Sequence, residues 1–228
     1  MKKKEALIAL VYTAIILTLM EYFFIPPRAE NWLSGNWISN WPVPKMTAGL
    51  LWSLSCFIGF FILPLLLIRF ISVSNLRAHG LNLNGFKEHL KIYMGLYFLM
   101  LPLIFFAAMQ PEFRNTYPFI PEAKRSVEMF LIWEIAYVVQ FFALESFFRG
   151  YLLFTLERHM EKWTAIGVML VPYVMIHFHK PVVECLGACV AGIVLGHFSL
   201  KYRSWIGGAI LHSLVGVSLD TLASSGRF

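Results

Sequence analysis

Charge is scarce in this chain. Only 14% of its 228 residues are Asp, Glu, Lys or Arg, against about 25% in an ordinary water-soluble domain. With 58% apolar residues and a mean hydropathy of +0.66, there is too little polar surface for a soluble enzyme. The net charge of +6 does not point to nucleic acid, because the basic residues fall mostly in short gaps between apolar runs, where they set membrane orientation; no nucleic-acid partner is expected. Cysteine is also sparse: Cys56, Cys185 and Cys189 all lie in apolar runs, and an odd number gives no disulfide framework. Cys185 and Cys189 share a helix face, which admits a metal pair on spacing, although small buried packing residues explain them more simply. HExxH is absent, and His177, His179 and His212 lack tight ligand spacing. No cofactor is called for, and a divalent ion such as zinc stays open only through convergence in space. There is no internal repeat or low-complexity tract, and Pro26-Pro27-Arg28-Ala29-Glu30 after the first apolar run is no small-residue cleavage site. That run reads as a retained span.

What the chain does have is apolar length. Seven runs cover residues 6–25, 47–71, 91–109, 129–154, 163–178, 182–200 and 204–222. Since about 20 apolar residues cross a bilayer, the fold class is an all-α, polytopic membrane helix bundle of about seven transmembrane helices, one integral-membrane domain over 1–228. The fifth run is short and holds Pro172, which predicts a tilted, kinked or partly embedded helix. With the N-terminus inside, Lys2, Lys3, Lys4, Arg69, Arg77, Lys87, Lys91, Arg158, Lys162, Lys201 and Arg203 share the inner side. They outnumber Arg28, Lys45, Arg114, Lys124, Arg125, Lys180 and Arg227 on the other. The positive-inside rule then places the N-terminus in the cytoplasm and the C-terminus outside. Trp32, Trp37 and Trp41 read as an interfacial belt, and residues 72–89 as a segment lying on the inner surface. Ala188, Gly192 and Gly196 form a small-residue stripe that lets backbones approach in lipid, predicting a central helix.

The functional signal lies in ionisable groups within the last four runs: Glu134, Glu145, Arg149, His177, His179, Glu184, His197 and His212. Each charge at bilayer depth costs about 2.5–3.5 kcal/mol on insertion scales, so several together imply a polar interior site. Glu145 and Arg149 are four residues apart on one helix face and can pair; neutralising Glu145 for insertion is the plain reading of that pair. If runs four and five form a hairpin turning near Glu161 and Lys162, then Glu145 and His177 sit at similar depth, with His212 within a turn or two. A Glu and a His facing each other can hold and deprotonate water. Glu134 shares the face of Glu145 but lies roughly 16 Å along the axis, as a pathway or supporting group. His179 and Glu184 belong to a polar break at the outer rim, and His197 reads as interfacial.

At these residues the chain resembles the CAAX prenyl endopeptidase and bacteriocin-processing family (CPBP, or Abi) of intramembrane proteases. That family carries EExxxR, FxxxH and HxxxN or HxxxD on successive helices. Here the matching segments are Leu144-Glu145-Ser146-Phe147-Phe148-Arg149, Tyr173-Val174-Met175-Ile176-His177 and His212-Ser213-Leu214-Val215-Gly216. The likeness spans about 128–220. Leu144 replaces the first Glu, Tyr173 the Phe and Gly216 the terminal Asn or Asp. The run His177-Phe178-His179-Lys180-Pro181-Val182-Val183-Glu184 resembles the HFxKPxxE stretch of a subgroup.

The resemblance implies a membrane-embedded peptidase acting on a membrane peptide or protein in the lipid bilayer. Glu145 and His177 then activate water, His212 stabilises the oxyanion, and Arg149 holds Glu145. Glu184, His179, Tyr173 and Glu134 are supporting candidates. Two rivals stand beside it: a family member without catalysis that binds a membrane peptide or confers immunity, favoured by Leu144 and Gly216, and a transporter relaying protons through Glu134, Glu145 and the histidines.

Overall fold

The computed structural model describes residues 2–36, 45–72 and 75–225; of the residues read above, Trp37, Trp41 and Arg227 lie outside that range. Among the described residues six helices are long and apolar enough to cross a membrane: α1 (Lys4–Phe24), α3 (Lys45–Phe70), α4 (Phe86–Met109), α5 (Val127–Glu157), α7 (Val182–Tyr202) and α8 (Ile206–Ser224). Between them lie α2 (Pro26–Asn36), carrying Trp32, and the shorter apolar α6 (Lys162–Met175). The chain is an integral, multi-pass membrane protein, all-α over the described residues.

The fifth apolar run becomes α6, whose 14 residues rise about 21 Å at 1.5 Å each, short of a hydrocarbon core of about 30 Å. It stops at Met175 and gives way to turns over 176–179, and Pro181 keeps Lys180 from resuming helical backbone. The turn between α5 and α6 is where the hairpin reading puts it, and the Glu161 carboxylate caps α6 by accepting from the Trp163 and Thr164 amides at 2.8 and 3.1 Å. Those two bonds hold the Glu161 carboxyl below its ordinary range.

Three spans contain a wider π-helical stretch: Met20–Phe24 in α1, Ile58–Ile62 in α3 and Ser146–Leu152 in α5. Such turns disturb the regular hydrogen-bond ladder and often mark functional regions. The Gly59 carbonyl accepts from the Tyr12 hydroxyl at 2.6 Å, which ties α1 to α3. The glycine makes the approach close: a Cβ on Gly59 would lie 2.7 Å from the side-chain ends of Ile16 and Met20 of α1, which would have to move. Phe60 stacks on Phe147 at 5.1 Å, so α3 and α5 meet through these same stretches.

The core gathers Phe147, Phe148, Leu152, Leu153 and Phe154 of α5 with Met169 and Tyr173 of α6 and Trp205. Phe98, Leu99, Leu103, Phe105 and Phe106 of α4 are exposed, as a lipid-facing helix requires. The small-residue stripe packs against α6, where a Cβ on Gly192 would meet Leu170 at 2.3 Å. α7 does not occupy the middle of the bundle; its main neighbour is α6, while α5 packs on both α3 and α8. Residues 75–85 are mostly exposed, as a surface segment would be, and are anchored to the bundle at His79 and Gly80. The Gly80 carbonyl accepts from the Trp205 amide at 3.4 Å, and His79 is buried.

Candidate active site

The Ser126 hydroxyl starts α5 by accepting from the Met129 amide at 3.2 Å, and the helix then carries Glu145 into the centre of the bundle. Glu145 and Arg149 are both 0% exposed. Glu145 Oε1 accepts from Arg149 Nη1 at 2.9 Å and from His212 Nδ1, on α8, at 2.8 Å. The guanidinium lies 3.7 Å from the centroid of the Tyr173 ring, a cation–π contact in dry surroundings. Arg149 is thus fixed from two sides, by the carboxylate on its own helix and by an aromatic face on α6.

The two histidines are held in the same way. A carboxylate oxygen opposite His212 Nδ1 requires the proton to be on Nδ1, which leaves the Nε2 lone pair as acceptor. His177 Nδ1 faces the Tyr173 carbonyl at 2.9 Å, so the same tautomer follows. The His177 carbonyl in turn accepts from the Cys185 thiol at 2.7 Å. Neither Nε2 has a hydrogen-bond partner among the described residues. The His212 ring also packs on Phe141, 4.5 Å between centroids.

Both rings line a cavity of about 100 Å³, walled also by Leu17, Met20, Trp52, Cys56, Phe60, Gln140, Phe141, Leu144 and Lys180. Such a volume has room for more than one water. Glu145 does not form part of the wall; it reaches the cavity through His212. The cavity lies at the end of the bundle where α1 finishes.

The remaining candidates scatter. Tyr173 is buried between Arg149 and His177. Glu184 is held by Lys180 Nζ at 2.8 Å and by the Tyr117 hydroxyl at 2.6–2.7 Å, and no contact joins it to His177 among the described residues. Burial pushes the Tyr117 phenol well above its ordinary range, helped by Tyr137 and Glu184, so it remains a donor to that carboxylate. His179, exposed at the rim, pairs with Glu21 at 3.2 Å. His197 stacks on Trp163 at 5.4 Å. Glu134 lies away from the cavity beside Asp220 of α8, whose Oδ2 accepts from Trp133 Nε1 at 2.8 Å.

Sequence reasoning passed over Asp220, although an acid inside an apolar run is a signal in its own right. It also passed over Gln140, which carries no charge and so stands out less. At Gly216 the structure supplies a reason for the missing Asn or Asp: a Cβ there would lie 2.4 Å from the Phe141 ring, which fills that space. Among the described residues no group of three or more His, Cys, Asp or Glu could hold a metal ion.

A multi-pass helix bundle with ionisable side chains from three helices at one buried centre defines a class of membrane protein. A family model described as type II CAAX prenyl endopeptidase Rce1-like matches residues 126–218, the stretch that carries Glu145, Arg149, His177 and His212. This segment is similar to that family, so the CPBP resemblance is borne out, and the kind of function it supports is that of a CAAX-type membrane protease. No curated protein and no solved structure matches the chain.

Proposed function

We propose that the protein is an endopeptidase that hydrolyses a peptide bond inside the membrane, with water activated by His212. The motif order assigns the water to Glu145 and His177, with the oxyanion left to His212; the contacts favour another division of labour. The observation that supports it is the Glu145–His212 hydrogen bond at 2.8 Å, which fixes the imidazole with Nε2 as the free acceptor beside a cavity. Glu145 then orients His212 and stabilises the imidazolium, as the third member of a hydrolytic triad does.

In this mechanism His212 Nε2 takes a proton from water while the water oxygen bonds to the scissile carbonyl carbon. His177 Nε2, also an acceptor, takes a hydrogen bond from the second O–H of the same water, which stays on the attacking oxygen, and so aims it. The Lys180 ammonium, the one Lys or Arg of the cavity wall among the described residues, keeps its bond to Glu184 and turns a further N–H to the oxyanion. As the tetrahedral intermediate collapses, the C–N bond breaks and the imidazolium returns its proton to the leaving amine. With the N-terminus inside, the cavity belongs to the outer half of the bilayer. The family description suggests a peptide with a prenylated cysteine near its C-terminus as the first substrate to try.

Purified protein should cut a prenylated peptide ending Cys-Val-Ile-Ser, followed by mass spectrometry. His212→Ala should lower kcat/KM by about 10²–10⁴, the usual range for losing a positioned acid–base. Glu145→Gln should fall nearly as far, and cleavage at wild-type rate in His212→Ala would end this mechanism. A second reading, a peptide-binding protein without turnover, is favoured by Phe141 occupying the space at Gly216. It predicts that the peptide binds wild type and Glu145→Gln alike and leaves both intact.

A further inference from the structure

Gln140 sits one turn before Leu144 on α5, in the wall of the cavity that holds His177 and His212. It is only 4% exposed. One end of its amide is anchored: Nε2 donates to Cys56 Sγ on α3 at 3.5 Å. The other end, Oε1, is buried and has no hydrogen-bond partner among the described residues. Among the described residues it is the one buried side-chain oxygen of the cavity wall in that condition. Leaving a buried acceptor unpaired is unfavourable, and an apolar side chain of similar shape would avoid the cost. The side chain is therefore suited to a partner that arrives from outside the chain.

The chemistry of that partner follows from the rest of the wall. Lys180 can only donate, Glu21 pairs with His179 at the rim, the Tyr137 hydroxyl bonds to Tyr117, and the two imidazoles are committed to water under the mechanism above. An extended peptide entering a cavity at bilayer depth brings main-chain N–H groups that have lost water and need acceptors. We infer that Gln140 Oε1 binds a main-chain N–H of the peptide next to the scissile bond, making it a substrate-positioning residue. This rests on the endopeptidase reading and adds to it the part of the substrate that is recognised: backbone rather than side chain.

The test uses purified full-length protein, the prenylated Cys-Val-Ile-Ser peptide and a set of analogues each N-methylated at one amide near the cleavage site. In wild type, one N-methylation should lower kcat/KM about five- to tenfold, the size of one neutral hydrogen bond, chiefly through KM. Gln140→Leu should lose the same factor on the parent peptide and nothing more on that analogue, while its thermal stability holds or rises. Gln140→Met serves as the second variant if leucine fails to fold. The inference is overturned if Gln140→Leu cuts the parent peptide like wild type, or if every N-methylated analogue is cut as well as the parent. Wild type that neither cuts nor binds the peptide would instead remove the endopeptidase reading, and this assignment with it. Loss of kcat alone, equal on all analogues, would show that Gln140 only supports the cavity wall and would also refute the inference.

Discussion

Replacing Arg149 with methionine should be far more damaging than one ion pair on a surface would suggest. The side chain is wholly enclosed, 2.9 Å from Glu145 and with its flat face 3.7 Å from the Tyr173 centroid. Methionine fills much of the space of the stem but leaves the Glu145 carboxylate in a dry interior with only His212 beside it. Removing one member of a buried pair costs about 3–5 kcal/mol, most of it the stranded charge. Three kcal/mol is about a hundredfold in the folding equilibrium. The double variant Glu145→Gln/Arg149→Met removes the stranded charge and should recover about 2–3 kcal/mol of that loss. Arg149→Lys keeps the charge but not the planar face over Tyr173, so it should fall between. SDS-driven unfolding of the four proteins in mixed micelles, read by circular dichroism, measures all these differences. A single-variant loss under about 1 kcal/mol, or a double variant no better than the single, would refute the reasoning.

Two further outcomes follow from particular contacts. His79 is 2% exposed; its Nδ1 faces the Asn75 carbonyl at 3.1 Å and its Nε2 accepts from Arg158 at 2.9 Å. Burial, with Arg158 and Arg203 opposing Asn75 and Glu5, lowers its pKa from 6.5 to about 4. The unfolded chain then binds a proton that the folded one refuses, so stability is full above about pH 6.5 and declines toward pH 4, by roughly 3 kcal/mol in all. His79→Gln should flatten that part of the stability–pH curve, and equal slopes in both proteins would contradict the assignment. At Gly216, an added methyl meets Phe141 at 2.4 Å, so Gly216→Ala should cost about 1–3 kcal/mol by overpacking. Phe141→Leu in the same chain should return part of it, measurable by the same unfolding assay.

The bundle was legible because lipid imposes a simple demand: each crossing helix must be apolar over about 20 residues, and six of the seven runs are long enough to do so. The fifth was legible as an oddity through Pro172, but its end came from the turns that precede Pro181. The Glu145–Arg149 pair could be read because four-residue spacing alone places both on one face. Asp220 was visible as an acid in an apolar run and was passed over. The contact of Gly80 with Trp205 had no comparable signal, since it depends on two loops distant in sequence meeting.

Sequence alone therefore determined that this is a helical membrane protein, that the second half of the chain carries the family-like motifs, and which charged groups share α5. Those are one-dimensional properties, set by composition, run length and helical period. Tertiary structure decided that Glu145 hydrogen-bonds His212 while His177 turns to its own helix, that Phe141 fills the space beside Gly216, and that Gln140 enters the cavity wall. Depth in a bilayer can be counted along a chain, but which way each helix is rotated about its axis is fixed only when the helices pack together.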